Sequence, residues 1–215
     1  MRASFHDATT ARVAVLHTAV PAVCRLSWRC AGTGFEAFRW DGVRGLLESA
    51  LGYLGYSVRA ASPEDCDLHA GDSAPRGGLW IRPAGIGGRP PAVEEILAKG
   101  FDPLDLRLLC LKTHYRAALE FSWNDLDAAR AERAELIDAA RLLRDARVSP
   151  NAAGLAGYKK RFRDALALDL DGPEALATLW DALRPGALSP GSRLGALNDA
   201  DAVLGLLLLD ARPSP

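Results

Sequence analysis

Cys66 and His69 stand as C-x2-H in a sequence whose other thiols are Cys24, Cys30 and Cys110. A thiolate and an imidazole at that spacing could give zinc two ligands. A structural zinc site takes four, and no second pair at metal-ligand spacing accompanies these two. The expectation is reduced, mostly buried thiols and no metal, with Cys110 placed in the core by its neighbours Leu109 and Leu111. GIGGRPP at 85–91 is glycine-rich, but it lacks both the G-x4-G-K-[ST] and the G-x-G-x2-G spacing that lets backbone amides cradle a phosphate. It reads as a flexible connector. The one local basic run is KKRFR at 159–163, which offers Lys159, Lys160, Arg161 and Arg163. Lys112 and Arg116, four apart on one expected helix face, join them as candidate nucleic-acid-binding residues. The competing reading for all six is a solvated helix surface. Arg107 and His114 are better read as tied into an interface by buried hydrogen bonds.

The composition limits what these groups can serve. The chain has 215 residues, 49% hydrophobic and 25% charged, with formal net charge −1. That is enough apolar mass for one large domain or two small ones. Only four of the 26 basic residues are lysines, a balance that reflects a GC-rich genome rather than a nucleic-acid surface. Near-zero net charge argues against strong non-specific phosphate binding, so DNA is not an expected partner. The apolar run at 203–209 is far short of the roughly 20 residues a spanning helix needs. With no signal-peptide order at the start, the expectation is a cytoplasmic protein without membrane attachment.

The elements that must position these residues fall into two parts. Segments 11–18, 23–29, 56–60 and 78–82 read as strands, and 41–53 as a helix with Val43, Leu46, Leu47, Ala50 and Leu51 on one stripe. Segments 62–77 and 83–91 are rich in turn residues. Beyond residue 92 the pattern is helical. Asp102, Ser122 and Asp171 are candidate caps, with Pro103 and Pro173 in first turns. Leu126, Ala129, Arg133, Leu136, Ala140 and Leu143 repeat three-four with one polar break. A break is expected at 147–157, then helices at 158–167, from Asp171, and at about 192–209. The expected fold is an α/β head, a reduced Rossmann-like nucleotide-binding fragment over 1–91. An all-α bundle of four or five helices follows over 92–215.

The helical part carries a family resemblance. FDPLDLRLLCLKTHYRAALEFSW at 101–123 resembles the run that follows the KMSKS loop in cysteinyl-tRNA synthetases, with Asp102-Pro-Leu-Asp-Leu-Arg107 standing at the D-A-L-R signature of their helical domain. FRDALALDLDGPEALATLW and ALNDADAVLGLLLL are similar to two later stretches of that family, in order and at its spacing. More weakly, SFHDATTARVAV, LSWRCAG and the segment from Leu47 to Tyr56 followed by SVR resemble stretches of its first part. The resemblance implies a DALR-type domain lying along tRNA, and an ATP-dependent site built on two histidines of a HIGH turn and the lysines of KMSKS. After Cys30 this sequence reads AGTGFEAFRWDG, with no histidine, and the KMSKS place reads Arg82-Pro-Ala-Gly-Ile86. Cys30 matches the family's first zinc-ligand position, and nothing matches the last two. The expectation is a truncated, degenerate paralogue that lacks the anticodon-reading domain, needs no cofactor, has no catalytic residue and binds tRNA or a protein. The alternative is a cysteine-activating ligase that acts on a small amine or tRNA through diverged ATP motifs.

Overall fold

The computed structural model describes residues 2–30, 32–145 and 154–210. It opens with an antiparallel hairpin of β1 (Ser4–Asp7) and β2 (Arg12–Val15). Asp7 fastens its turn, accepting from the Thr10 hydroxyl at 2.9 Å and from the Thr9 amide at 3.3 Å. Then come β3 (Val23–Arg29), α1 (Gly34–Tyr53), β4 (Ser57–Ala60), β5 (Leu68–Gly71) and β6 (Leu79–Ile81). Strands β3 to β6 give a four-stranded parallel sheet in the order β4-β3-β5-β6. A parallel sheet needs a crossover between strands, and α1 supplies the one between β3 and β4. Two short strands, β7 (Ile86–Gly87) and β8 (Leu119–Glu120), pair in parallel. The helical part holds α2 (Val93–Ala98), α3 (Pro103–Leu111), α4 (Trp123–Asp145), α5 (Ala156–Ala167), α6 (Gly172–Leu183) and α7 (Pro190–Leu204). This is an α/β head joined to a helical bundle, and the described residues of the bundle make six helices rather than four or five.

Helix α1 is the hinge of the packing. One side lies on the sheet at β4, and the other meets α3, α5 and α7. Leu46, Leu47, Ala50 and Leu51 are buried there, so head and bundle share one continuous apolar core. Each leucine removed from water in that way contributes about 1.5–3 kcal/mol. The capping residues behave as their types dictate. Asp102 and Asp105 form a reciprocal capping box at α3, Ser122 accepts from the Asp125 amide at 3.1 Å, and Asp171 accepts from Glu174 at 3.0 Å.

Four expectations are corrected. Helix α1 starts at Gly34, not Asp41, because its buried stripe continues through Phe35 and Arg39 with a charged residue in an apolar slot. Strand β5 lies inside the segment read as turns; all four of its residues are buried, so it shows no alternation. The connector is tethered rather than free. The Ala84 amide donates to Tyr115 at 2.8 Å, and Ile86 and Gly87 pair with Leu119 and Glu120. Helix α7 ends at Leu204, not 209, because Gly205 takes the left-handed conformation at φ +63°. The tail beyond it is held by Asp201, which accepts from the amides of Leu208 and Leu209 at 3.0 and 3.2 Å. The expected break at 147–157 lies mostly outside the described residues; within it, α5 begins at Ala156.

Candidate functional site

A cleft of about 530 Å³ opens beyond the carboxyl ends of β5 and β6. Open parallel sheets take their ligands there. Asp72 follows β5, Arg82 follows β6, and the first turns of α1 bring Glu36 and Trp40. Pro83, Ala84, Gly85 and Arg116 complete the wall. Glu36 leans on the connector at Gly85, where a Cβ atom would sit 2.5 Å from its carboxylate oxygen. A glycine at 85 is what lets that carboxylate approach. The first turn of α1 thus carries its own anion, which suits the helix dipole and repels a second one.

The floor of the cleft is organised by Arg39, which is 1% exposed. Its Nη1 donates to the carbonyls of Ala84, at 3.1 Å, and Gly85. Its Nη2 donates to Ala117 at 2.6 Å and His114 at 3.3 Å. One side chain therefore binds the connector to the loop after α3. Burial lowers its pKa from the usual guanidinium value, with Glu36 and Cys110 opposing. Trp40 adds a longer contact, from Nε1 to Ala84 at 3.4 Å.

Beside the cleft lies a second buried polar centre, Asp169, in the turn between α5 and α6. Its backbone is left-handed at φ +62°. Its carboxylate accepts from the Tyr115 hydroxyl at 2.6 Å, from Arg116 Nη2 at 2.6 Å and Nε at 2.7 Å, and from the His6 amide at 2.8 Å. Asp169 thus links β1, the loop after α3 and the α5–α6 turn. His114 belongs to the same group. It stacks on Tyr115 at 4.8 Å and lies 3.7 Å from the Asp169 carboxylate. Burial, followed by the hydrogen bond to Asp169, pushes the Tyr115 phenol well above its ordinary pKa. Arg107 closes the C terminus of α7 with a 2.5 Å bond from Nε to the Leu204 carbonyl.

No family model matches the chain. Curated sequences do. It is 36% identical over 123 residues to the cysteine–tRNA ligase of Novosphingobium aromaticivorans, covering 55% of this chain and 24% of that one. It is 37% identical over 123 residues to cysteine–tRNA ligase 1 of Burkholderia lata, covering 56% and 24%. Against the cysteine–tRNA ligase of Borrelia turicatae it is 31% identical over 126 residues, covering 53% and 26%. The chain is related to the cysteine–tRNA ligases. It spans about a quarter of the length of the curated relatives it matches.

In this cysteine–tRNA ligase relative the six candidate cations fall in separate places. Lys112 is the C-cap of α3 and Arg116 lies in the turn beyond, so they share no helix face. Lys112 pairs with Glu132 at 2.6 Å, and Arg116 is held by Asp169. The KKRFR run spreads around α5. Lys159 reaches Asp199 at 3.4 Å, Lys160 pairs with Asp164 at 2.7 Å, and Arg161 bridges Glu174 and Asp181 at 3.2 and 2.9 Å. Arg163 lies over the Tyr53 ring at 5.8 Å. Neighbours in sequence on a helix point about 100° apart, and the run divides accordingly.

Of the thiols, Cys24 and Cys66 lie near each other. Among the described residues no group of three or more His, Cys, Asp and Glu could hold a metal ion. Burial, with Asp72 and Asp41, pushes the Cys30 thiol up to about 12, far from a ready thiolate ligand. Cys66 Sγ lies against the carbonyls of Pro63 and Gly77. His69 is 1% exposed, and neither ring nitrogen has a hydrogen-bond partner among the described residues. Burial pushes its pKa down; the nearby Ser73 backbone partly offsets this without meeting hydrogen-bond geometry. No helix among the described residues is long and apolar enough to cross a membrane.

The residues that shape the cleft and its floor, Glu36, Arg39 and Asp72, were not singled out from the sequence, and neither was Asp169. The one signal available was Arg39, a charge inside an otherwise apolar helical stripe.

Proposed function

We propose that the chain is a non-catalytic, cytoplasmic relative of the cysteine–tRNA ligases that works by binding. On this reading an α/β part spans 1–91 and a DALR-type helical part spans 92–215. The helical part holds tRNA through backbone phosphates at Lys112, Arg116, Lys159, Lys160, Arg161 and Arg163. The cleft carries the first half of the reading. Amino-acid activation develops charge on phosphates and needs donors and cations aimed at it. The cleft instead turns Glu36 and Asp72 toward that space, and of its two arginines Arg116 is already bound to Asp169. Neither lysine nor histidine lines it.

The second half predicts weak, salt-sensitive tRNA binding. The cations of α5 sit in exposed ion pairs, each worth about 0–1 kcal/mol, so a phosphate can displace a carboxylate at small cost and small gain. Contacts of this kind release counterions and do not read bases. Replacing Lys159, Lys160, Arg161 and Arg163 by alanine should lower affinity by a similar factor for every tRNA tested. It should also flatten the dependence of log affinity on log salt by about three contacts. Alanine favours helix, so α5 should persist. Equal affinity of variant and parent, or a strong preference for one tRNA, would remove this surface from the account. The neutralisation of these cations by neighbouring acids also favours a second reading, in which the principal partner is a protein.

A further inference from the structure

The hairpin at the start of the chain has an unpartnered edge. β2 pairs with β1 alone, and Arg12 to Val15 make no other backbone hydrogen bonds among the described residues. Register places Val13 opposite His6, Val15 opposite Ser4, and Leu168 on the far side of Ser4. Paired residues of a sheet share a face, so Val13, Val15 and Leu168 lie on one side, with Phe5, Asp7 and Ala14 on the other. The Phe5 side is core. The Val side is open: Val13 is 54% exposed, Val15 39% and Leu168 59%. Edge strands are normally blunted by lysine, proline or a bulge, and a four-residue hairpin is marginal alone. Here β-branched side chains stand at the edge.

Charge selects what fits it. Arg12 is exposed at the turn end, Arg2 and His17 at the open end. The one carboxylate in the first 35 residues, Asp7, is buried and taken up by Thr9, Thr10 and the Trp80 amide. A second copy would bring like charges together without a carboxylate to meet them. RNA would need aromatic platforms for its bases; Phe5 is buried, and the open face offers a single half-buried ring, that of His6.

We propose that the outer edge of β2 and the Val13–Val15–Leu168 face dock an extended, acidic and apolar segment of a partner protein by strand addition. The partner's backbone completes the ladder of β2. Its alternate β-branched or aromatic side chains cover Val13 and Val15, and its carboxylates meet Arg2, Arg12 and His17. The site is separate from the cleft and from the helical cations, so it stands whether or not tRNA binds.

The test is selection of a displayed library of random twelve-residue peptides on the full chain, with counter-selection on the Val15→Lys variant. Enriched peptides are then synthesised and their affinity measured by fluorescence anisotropy. The expected peptides alternate apolar and acidic residues. They should bind Val13→Lys and Val15→Lys about tenfold or more weakly than the parent, since two half-exposed valines lose their cover. Both valines are exposed, so these variants should keep the parent's thermal unfolding. Val13→Ile with Val15→Ile, which preserves shape and strand preference, should retain binding. No enrichment, basic consensus peptides, or equal binding to the lysine variants would overturn the proposal. So would self-association of the parent in sedimentation that Val15→Lys abolishes, because the face would then belong to a second copy.

Discussion

Arg39→Met should destabilise the fold by about 2–4 kcal/mol in urea unfolding, and Arg39→Lys should be nearly as damaging. The guanidinium is buried and has carbonyls, not a carboxylate, for partners. Its removal relieves the cost of burying a charge, which limits the loss. Three of the four carbonyls retain another donor: Ala84 has Trp40 Nε1, Gly85 has the Leu119 amide and His114 has the Ala117 amide. Ala117 keeps none among the described contacts, but the residue is exposed and water can take the place of the guanidinium there. Loss of packing around the buried side chain supplies most of the cost. Lysine offers a point charge with three donors and cannot span the two loops that the planar fork bridges. Protease cleavage within the connector at 83–91 should accelerate in both variants. An Arg39→Met protein as stable as the parent would show that β7 and β8 hold the connector without it.

Asp169→Asn should cost about 2–4 kcal/mol, in the range for removing one partner of a buried ion pair. Asparagine tolerates the left-handed backbone at 169, so the substitution isolates the charge from the conformation. Its amide oxygen can still accept from His6 and Tyr115, but its NH2 group faces the donors of Arg116. Tyr115→Phe alone should cost about 1 kcal/mol, and the double variant should come close to the sum, since the amide oxygen of asparagine still accepts from Tyr115. An Asp169→Asn protein within about 0.5 kcal/mol of the parent would contradict the role of Asp169 as the tie between hairpin, loop and bundle.

The helical half was legible because its signals are local. Capping residues act within three or four positions, and Leu126, Ala129, Leu136, Ala140 and Leu143 lie buried as their spacing requires. Even the polar break in that stripe has a local logic: Arg133 bonds Asp105 at 3.3 Å and the Leu206 carbonyl at 3.3 Å. The head was less legible. Strand β5 is buried on both faces and carries a histidine and a glycine, so neither alternation nor composition marks it. The cleft gathers Glu36, Asp72, Arg82 and Arg116 from four distant stretches, and no spacing rule joins them. The basic residues show the reverse. KKRFR is one cluster in sequence, yet the helix turns it toward α1, α6 and α7.

Cysteine-dependent exchange of labelled pyrophosphate into ATP measures amino-acid activation directly. With Glu36 and Asp72 facing the cleft and Arg116 committed to Asp169, exchange at the level of an enzyme-free blank is predicted. Exchange clearly above that blank, lost on Arg82→Ala, would contradict the non-catalytic reading and establish a cysteine-activating ligase with diverged ATP-binding residues.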